Sequence, residues 1–100
     1  MLRFKRIGRL KNGRTPEGIK WAKEIAEYLK ANYSQASFQV YIELFGDVNA
    51  IYWYADVKDL AAWDSFLAQL MPDQGYWAMV NKGMELFIEG SFKDTLMILV

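Results

Sequence analysis

The chemistry open to this chain rests on phenols, indoles, carboxylates and amides, because it contains neither histidine nor cysteine. That removes the commonest general base, thiolate metal sites, disulfides and the usual proximal haem ligand. The remaining candidates gather in two places. In SFQVYIELFGDVNAIYWYAD (residues 37–56), strict alternation puts Gln39, Tyr41, Glu43, Tyr52 and Tyr54 on one face. Those rings could stack on a planar ligand while their hydroxyls hydrogen-bond it. In QGYWAMVNKG, Trp77 and Asn81 stand four residues apart, an aromatic and an amide on one helical face that could meet a cavity. Each set has a structural counterpart. Tyrosine is enriched at subunit interfaces for the same amphipathic reason, so the tyrosine face reads first as an interface and second as a ligand site. Trp77 and Asn81 read first as an ordinary capping or exposed pair.

Other constellations divide in the same way. Glu43 and Glu89, beside Arg3, Lys5 or Arg9, could form an acid–base pair, yet such groups more often make cross-strand ion pairs that hold register. Trp21, Trp63, Trp77 and Phe66 could line a cavity between helices and sheet, although the helical spacing of Trp63 and Phe66 reads first as core. Met71, Met79, Met84 and Met97 read as gap-filling side chains. No glycine-rich phosphate loop occurs, so no nucleotide cofactor is expected, and no other cofactor is implied. Metal could be held only through oxygen, and Asp56, Asp59 and Asp64 read more simply as a helix cap and a solvated face.

The charge is balanced overall but unevenly placed. Residues 1–14 carry Arg3, Lys5, Arg6, Arg9, Lys11 and Arg14 with no acid, while residues 15–100 carry six basic residues against twelve acids, a net of −6. A basic arm for nucleic acid is one reading; a basic strand lying beside acidic neighbours is preferred, since Leu2, Phe4, Ile7 and Leu10 interleave with the charges. The first residues show no continuous apolar run of the kind a signal peptide needs, and no window reaches the ~20 apolar residues of a membrane span, so the expected compartment is the cytoplasm.

These groups need a frame. One hundred residues suit a single domain, and 53% apolar content with 16% aromatics suits a packed core whose excess rings meet a partner or a pocket. The alternation predicts a strand over residues 2–10, and Asn12-Gly13 a turn. Thr15-Pro16-Glu17 is a helix start, with Thr15 as cap, for a helix over 16–33 whose stripe is Trp21, Ala22, Ile25, Ala26, Leu29 and Tyr33. Lys20–Glu24 and Lys23–Glu27 supply pairs on its wet face. Two strands follow, joined by a two-residue turn at Gly46-Asp47 that pairs Gln39 with Tyr54, Tyr41 with Tyr52, Glu43 with Ala50 and Phe45 with Val48. A second helix is expected over 58–70, capped from Asp56-Val57-Lys58-Asp59 and burying Leu60, Trp63, Phe66, Leu67 and Leu70. Met71-Pro72-Asp73 breaks it, a short helix covers 74–84, and a last strand starts near Glu85 in ELFIEGSF. The apolar end, DTLMILV, should pair with a sheet edge. The β-α-β-β-α-(α)-β order gives an α+β, ferredoxin-like four-stranded antiparallel sheet with strands 1 and 3 central and helices on one face, spanning residues 1–100.

On that order, on Asp56 followed by DLAAW (59–63), on the Pro72-Asp73 break before GYWAMVNKG (75–83), and on EGSFKDTLMIL, the chain resembles the dimeric α/β-barrel superfamily. The likeness is to its small stress-responsive, NIPSNAP-like and antibiotic-monooxygenase-like branches. The resemblance implies a homodimer formed through the free sheet face and the C-terminal strand, closing a barrel with the helices outside. It also implies a small apolar or aromatic ligand, with cofactor-free oxygenation or isomerisation where there is turnover; the alternative is a non-enzymatic dimeric module. The haem-handling branches use a histidine that is absent here, and no catalytic residue carries over.

Overall fold

A computed structural model describes residues 1–100. The elements are β1 (Leu2–Arg9), α1 (Thr15–Asn32), β2 (Ala36–Ile42), β3 (Ala50–Val57), α2 (Leu60–Leu70), α3 (Gln74–Gly83), a 3-10 turn (Met84–Leu86) and β4 (Lys93–Ile98). The strands form one antiparallel sheet in the order β2-β3-β1-β4, so strands 1 and 3 are central as the element order predicts. This is the ferredoxin-like α+β arrangement.

Strand register sorts the side chains. Leu2, Phe4, Arg6 and Gly8 stand opposite Val57, Ala55, Trp53 and Ile51, and this face receives the helices. Arg3, Lys5 and Ile7 stand opposite Asp56, Tyr54 and Tyr52 on the face the helices leave open. The α1 stripe of Trp21, Ala22, Ile25, Ala26, Leu29 and Tyr33 is buried throughout, and it packs with Phe38, Ile51, Ala55, Phe66 and Phe87 into the core. Gly8 is where this packing needs a glycine. A Cβ there would lie 2.7 Å from Phe92 and 3.1 Å from Phe87, two rings that rest directly on the strand.

Several expectations change. Pairing between β2 and β3 has the expected register, Gln39 with Tyr54 and Tyr41 with Tyr52, but the ladder stops at Ile42 and Ile51. Residues 43–49 form a wide loop instead of a two-residue turn, with Gly46 at φ 109°. The loop is drawn away from β2 by other bonds: Asp47 pairs with Arg9 and accepts from the Asn49 backbone N–H, and the Asn49 carbonyl accepts from the Leu10 N–H at 2.8 Å. Thr15 does not cap α1. Its hydroxyl donates to Asn49 Oδ1 at 2.6 Å, and Arg14 holds the cap position without a side-chain bond. Asp59, not Asp56, caps α2, accepting from the Ala62 N–H at 2.8 Å. Leu60, expected in the core, is 58% exposed. No strand begins at Glu85: the 3-10 turn and a single bridge between Leu10 and Phe87 occupy that stretch, and the last strand starts at Lys93. The apolar end does pair with a sheet edge, β4 lying along β1. The helix α1 pairs expected at Lys20–Glu24 and Lys23–Glu27 do not close, whereas the basic strand finds acids: Arg3 with Asp56, Arg6 with Asp94, Arg9 with Asp47, and Arg14 with Glu17 and Glu85.

Candidate functional site

Between the sheet and the helices lies a cavity of about 340 Å³, inside the range that small-molecule pockets occupy. Its walls come from every layer. Strand β1 supplies Phe4 and Arg6, and β3 supplies Trp53. Helix α1 presents Trp21, Ile25, Ala26 and Leu29 through its three- and four-residue spacing, α2 adds Trp63 and Phe66, and α3 closes the chamber with Tyr76, Trp77 and Val80. Of 22 lining residues, 19 are hydrophobic, so what enters must itself be largely apolar.

The aromatic wall is built of mutually packed rings. Phe4 stacks on Trp63 at 5.1 Å, Trp21 meets Trp53 edge-on at 5.9 Å, and Phe66 contacts Trp63, Phe38 and Tyr33 at 5.4–5.7 Å. Two indoles are also pinned by hydrogen bonds, Trp21 Nε1 donating to the Met79 carbonyl at 2.7 Å and Trp77 Nε1 to the Met71 carbonyl at 2.9 Å. Rings tethered this way present a largely preformed surface.

Three polar side chains line the chamber, Gln39 from β2 and the pair Arg6 and Asp94. Arg6 and Asp94 are register partners on β1 and β4, and the guanidinium donates through Nε and Nη2 to the two carboxylate oxygens at 2.7 and 2.9 Å. With side chains 36% and 46% exposed, the pair sits where the cavity meets solvent. The bond to Asp94 raises the Arg6 pKa above its ordinary value. Tyr76 faces Arg6, and burial pushes its phenol above the usual 10 against the opposing pull of the guanidinium, so its hydroxyl stays protonated at neutral pH.

The residues singled out from the sequence fall into separate places. Tyr41, Glu43 and Tyr52 lie on the open sheet face: Tyr52 donates to Glu43 Oε2 at 2.7 Å, and Tyr41 meets the Tyr54 ring edge-on at 5.4 Å. Tyr54, beneath the Arg3 guanidinium at 4.9 Å, also contributes to the cavity floor. Trp77 lines the cavity, together with Trp21, Trp63 and Phe66. Asn81 is exposed and outside the lining. The face of α3 that meets the cavity carries Tyr76, Trp77 and Val80, and Asn81 lies off it. Glu43 is engaged with Tyr52 and Glu89 is exposed, so neither forms the acid–base pair considered above. Arg6, Tyr76 and Asp94 were missed. Arg6 could have been found as the one charge at an even position of Leu2-Phe4-Arg6-Gly8-Leu10, and Tyr76 from its buried spacing with Val80 and Gly83.

No three acidic side chains converge to hold a metal, and no helix is long and apolar enough to cross a membrane. Solved structures of the same fold are close in shape and distant in sequence. A NIPSNAP domain protein from Burkholderia xenovorans superposes with a TM-score of 0.79 at 17% identity, covering 100% of this chain and 95% of that one. A NIPSNAP family protein with unknown function from Agrobacterium tumefaciens gives 0.77 at 22% identity over 97% and 86%. An antibiotic biosynthesis monooxygenase gives 0.76 at 14% identity over 100% and 99%. At these identities the likeness is one of fold. No protein with a curated description matches. A family profile matches residues 2–99, and the chain belongs to that family, described as a family of unknown function (DUF6039).

Proposed function

We propose that the protein binds a small apolar or aromatic metabolite in the cavity between sheet and helices, and that it does so as a homodimer. The observation that carries the binding reading is the 340 Å³ chamber with 19 hydrophobic residues among its 22 and one ion pair at its mouth. A chamber of this size inside a 100-residue domain forfeits packing that a filled core would gain, so its upkeep makes physical sense if a ligand fills it. The monooxygenase of like fold supports a catalytic extension, cofactor-free oxygenation or isomerisation of an activated aromatic. Every carboxylate at the chamber is already engaged, which favours binding as the primary role.

Homodimerisation rests on the open sheet face. Tyr41 is 48% exposed there, Ile7, Tyr52 and Tyr54 stand beside it, and the apolar end continues through Leu99 and Val100 at the adjoining edge. A second copy would cover that face and this end together.

Tryptophan fluorescence of the full chain, titrated with naphthalene, tests the binding, because four indoles are present and all line the chamber. Saturable quenching is expected in the wild type. Ala26→Leu, which fills the chamber from a helical position that tolerates leucine, should weaken binding about tenfold or more while the variant stays folded. Equal binding by the folded variant would refute the site. Light scattering should return twice the chain mass, and a monomer at high concentration would remove the dimer.

A further inference from the structure

Tyr76 is 92% buried and lines the chamber; its oxygen faces the Arg6 guanidinium, from which it can accept, while its O–H donates to no protein group. A buried O–H whose proton has no acceptor is costly unless something else supplies one. Across from it stands Arg6, which spends Nε and Nη2 on Asp94 and turns to the Tyr76 oxygen without meeting a second carboxylate. A guanidinium carries five N–H donors, so the pairing with Asp94 does not exhaust it.

We infer that the Tyr76 hydroxyl and the free edge of Arg6 form a head-group site that selects ligands bearing a neutral oxygen acceptor, such as a ketone, aldehyde or ester carbonyl, on an aromatic body. Building on the cavity reading, this assignment names the ligand class. The carbonyl oxygen accepts from the Tyr76 O–H and from Arg6 Nη1, while the ring system lies among Phe4, Trp63 and Trp77. Charge decides between a neutral and an anionic head. Asp94 already balances Arg6 in a two-pronged pair at 2.7 and 2.9 Å, so the site is electrically neutral. A carboxylate brought to it gives up its hydration with no unbalanced cation to receive it, and in an apolar chamber that loss outweighs the hydrogen bonds gained. A purely hydrocarbon ligand leaves the Tyr76 hydroxyl unsatisfied.

Three probes of one body separate the cases: methyl naphthyl ketone, naphthoate and ethylnaphthalene, titrated against the full chain by isothermal calorimetry. The wild type should bind the ketone about tenfold more tightly than ethylnaphthalene, the worth of roughly one net hydrogen bond, and naphthoate most weakly. Tyr76→Phe keeps the ring and removes only the hydroxyl's contact with Arg6, so the variant should stay folded with a melting temperature within a few degrees of the wild type. In that variant the ketone should lose most of its advantage, keeping only what Arg6 supplies, while the affinity of ethylnaphthalene should not change. If the ketone keeps its tenfold advantage in Tyr76→Phe, or if naphthoate binds best to the wild type, the head-group site is wrong while the cavity reading stands. If none of the three binds, both are wrong.

Discussion

Tyr33 donates its phenolic hydrogen bond to Asp73 at 2.5 Å, and Tyr28 donates to the same carboxylate at 2.8 and 2.9 Å. Asp73 also caps α3 by accepting from the Tyr76 N–H at 3.1 Å. One carboxylate thus ties the C-terminal end of α1 to the first turn of the helix that carries Tyr76 and Trp77. These donors, Tyr33 first, hold Asp73 below its ordinary 3.8. A carboxyl whose pKa is lower in the folded than in the unfolded chain adds stability that is fully present above 3.8 and is lost as pH falls through the lower folded value. Asp73→Asn should therefore lower the melting temperature by several degrees at neutral pH. The gap between variant and wild type should close progressively below about pH 4. Melting curves by circular dichroism across that range check it, and a gap that persists at pH 2 would contradict it.

The same cluster acts in the opposite sense in alkali. Tyr33 is raised well above 10 by burial and by its bond to Asp73, and Tyr28 and Tyr52 are raised chiefly by their bonds to Asp73 and Glu43. A group raised on folding stabilises fully below its unfolded value and loses that contribution as pH climbs through the folded one. Ultraviolet absorbance of phenolate should show the native protein lagging the urea-unfolded chain above pH 10. In Asp73→Asn the lag should shrink most for Tyr28, whose largest cause is that bond, and only in part for Tyr33, whose burial remains, leaving that of Tyr52 and Tyr76.

The frame that holds these groups was legible because alternation and helical spacing are set by burial. The whole buried stripe of α1 follows from which positions are apolar, and the pairing of Gln39 with Tyr54 from a hairpin centred at Gly46-Asp47. Two features were not legible. The wide loop at 43–49 depends on Asp47 finding Arg9, a contact between residues far apart in the chain. Leu86 and Phe87 read as a strand because a short apolar run does not distinguish a strand from a buried turn, and here they plug the core beside Leu10. The candidate site was half legible. Aromatic spacing located the wall, but its polar edge joins Arg6 to Asp94 across 88 positions, and nothing local announces that pairing.

Gly83, the last residue of α3, lies against the face of the Trp21 indole, and a Cβ built on it would overlap the ring. Replacing a helical glycine by alanine ordinarily gains up to about 1 kcal/mol. Here overpacking opposes that gain by roughly 1–3 kcal/mol, and Trp21 cannot swing aside without breaking its 2.7 Å bond to the Met79 carbonyl. Gly83→Ala should therefore be destabilising in urea unfolding. Trp21→Phe, made alongside it, should relieve most of the penalty, so that the double variant is more stable than the sum of the two singles predicts. Additive effects would mean that the contact is not the cause.

Asp94→Asn tests the charge balance on which head-group selection depends. The pair with Arg6 is substantially exposed, at 36% and 46%, so losing its charge should cost within ~1 kcal/mol of stability and leave the fold intact. Its effect on ligands should be larger. With Asp94 neutral, Arg6 faces the chamber mouth as an unbalanced cation, and an anionic head group then finds the partner that Asp94 occupies in the wild type. Naphthoate, the weakest of the three naphthyl probes for the wild type, should overtake the ketone in Asp94→Asn, while ethylnaphthalene, which reads only the apolar wall, should not move. Raising the salt concentration should erode the gained naphthoate binding and spare the other two, because only that interaction is between net charges. An unchanged order of the three probes in a folded Asp94→Asn variant would show that Arg6 does not read the ligand.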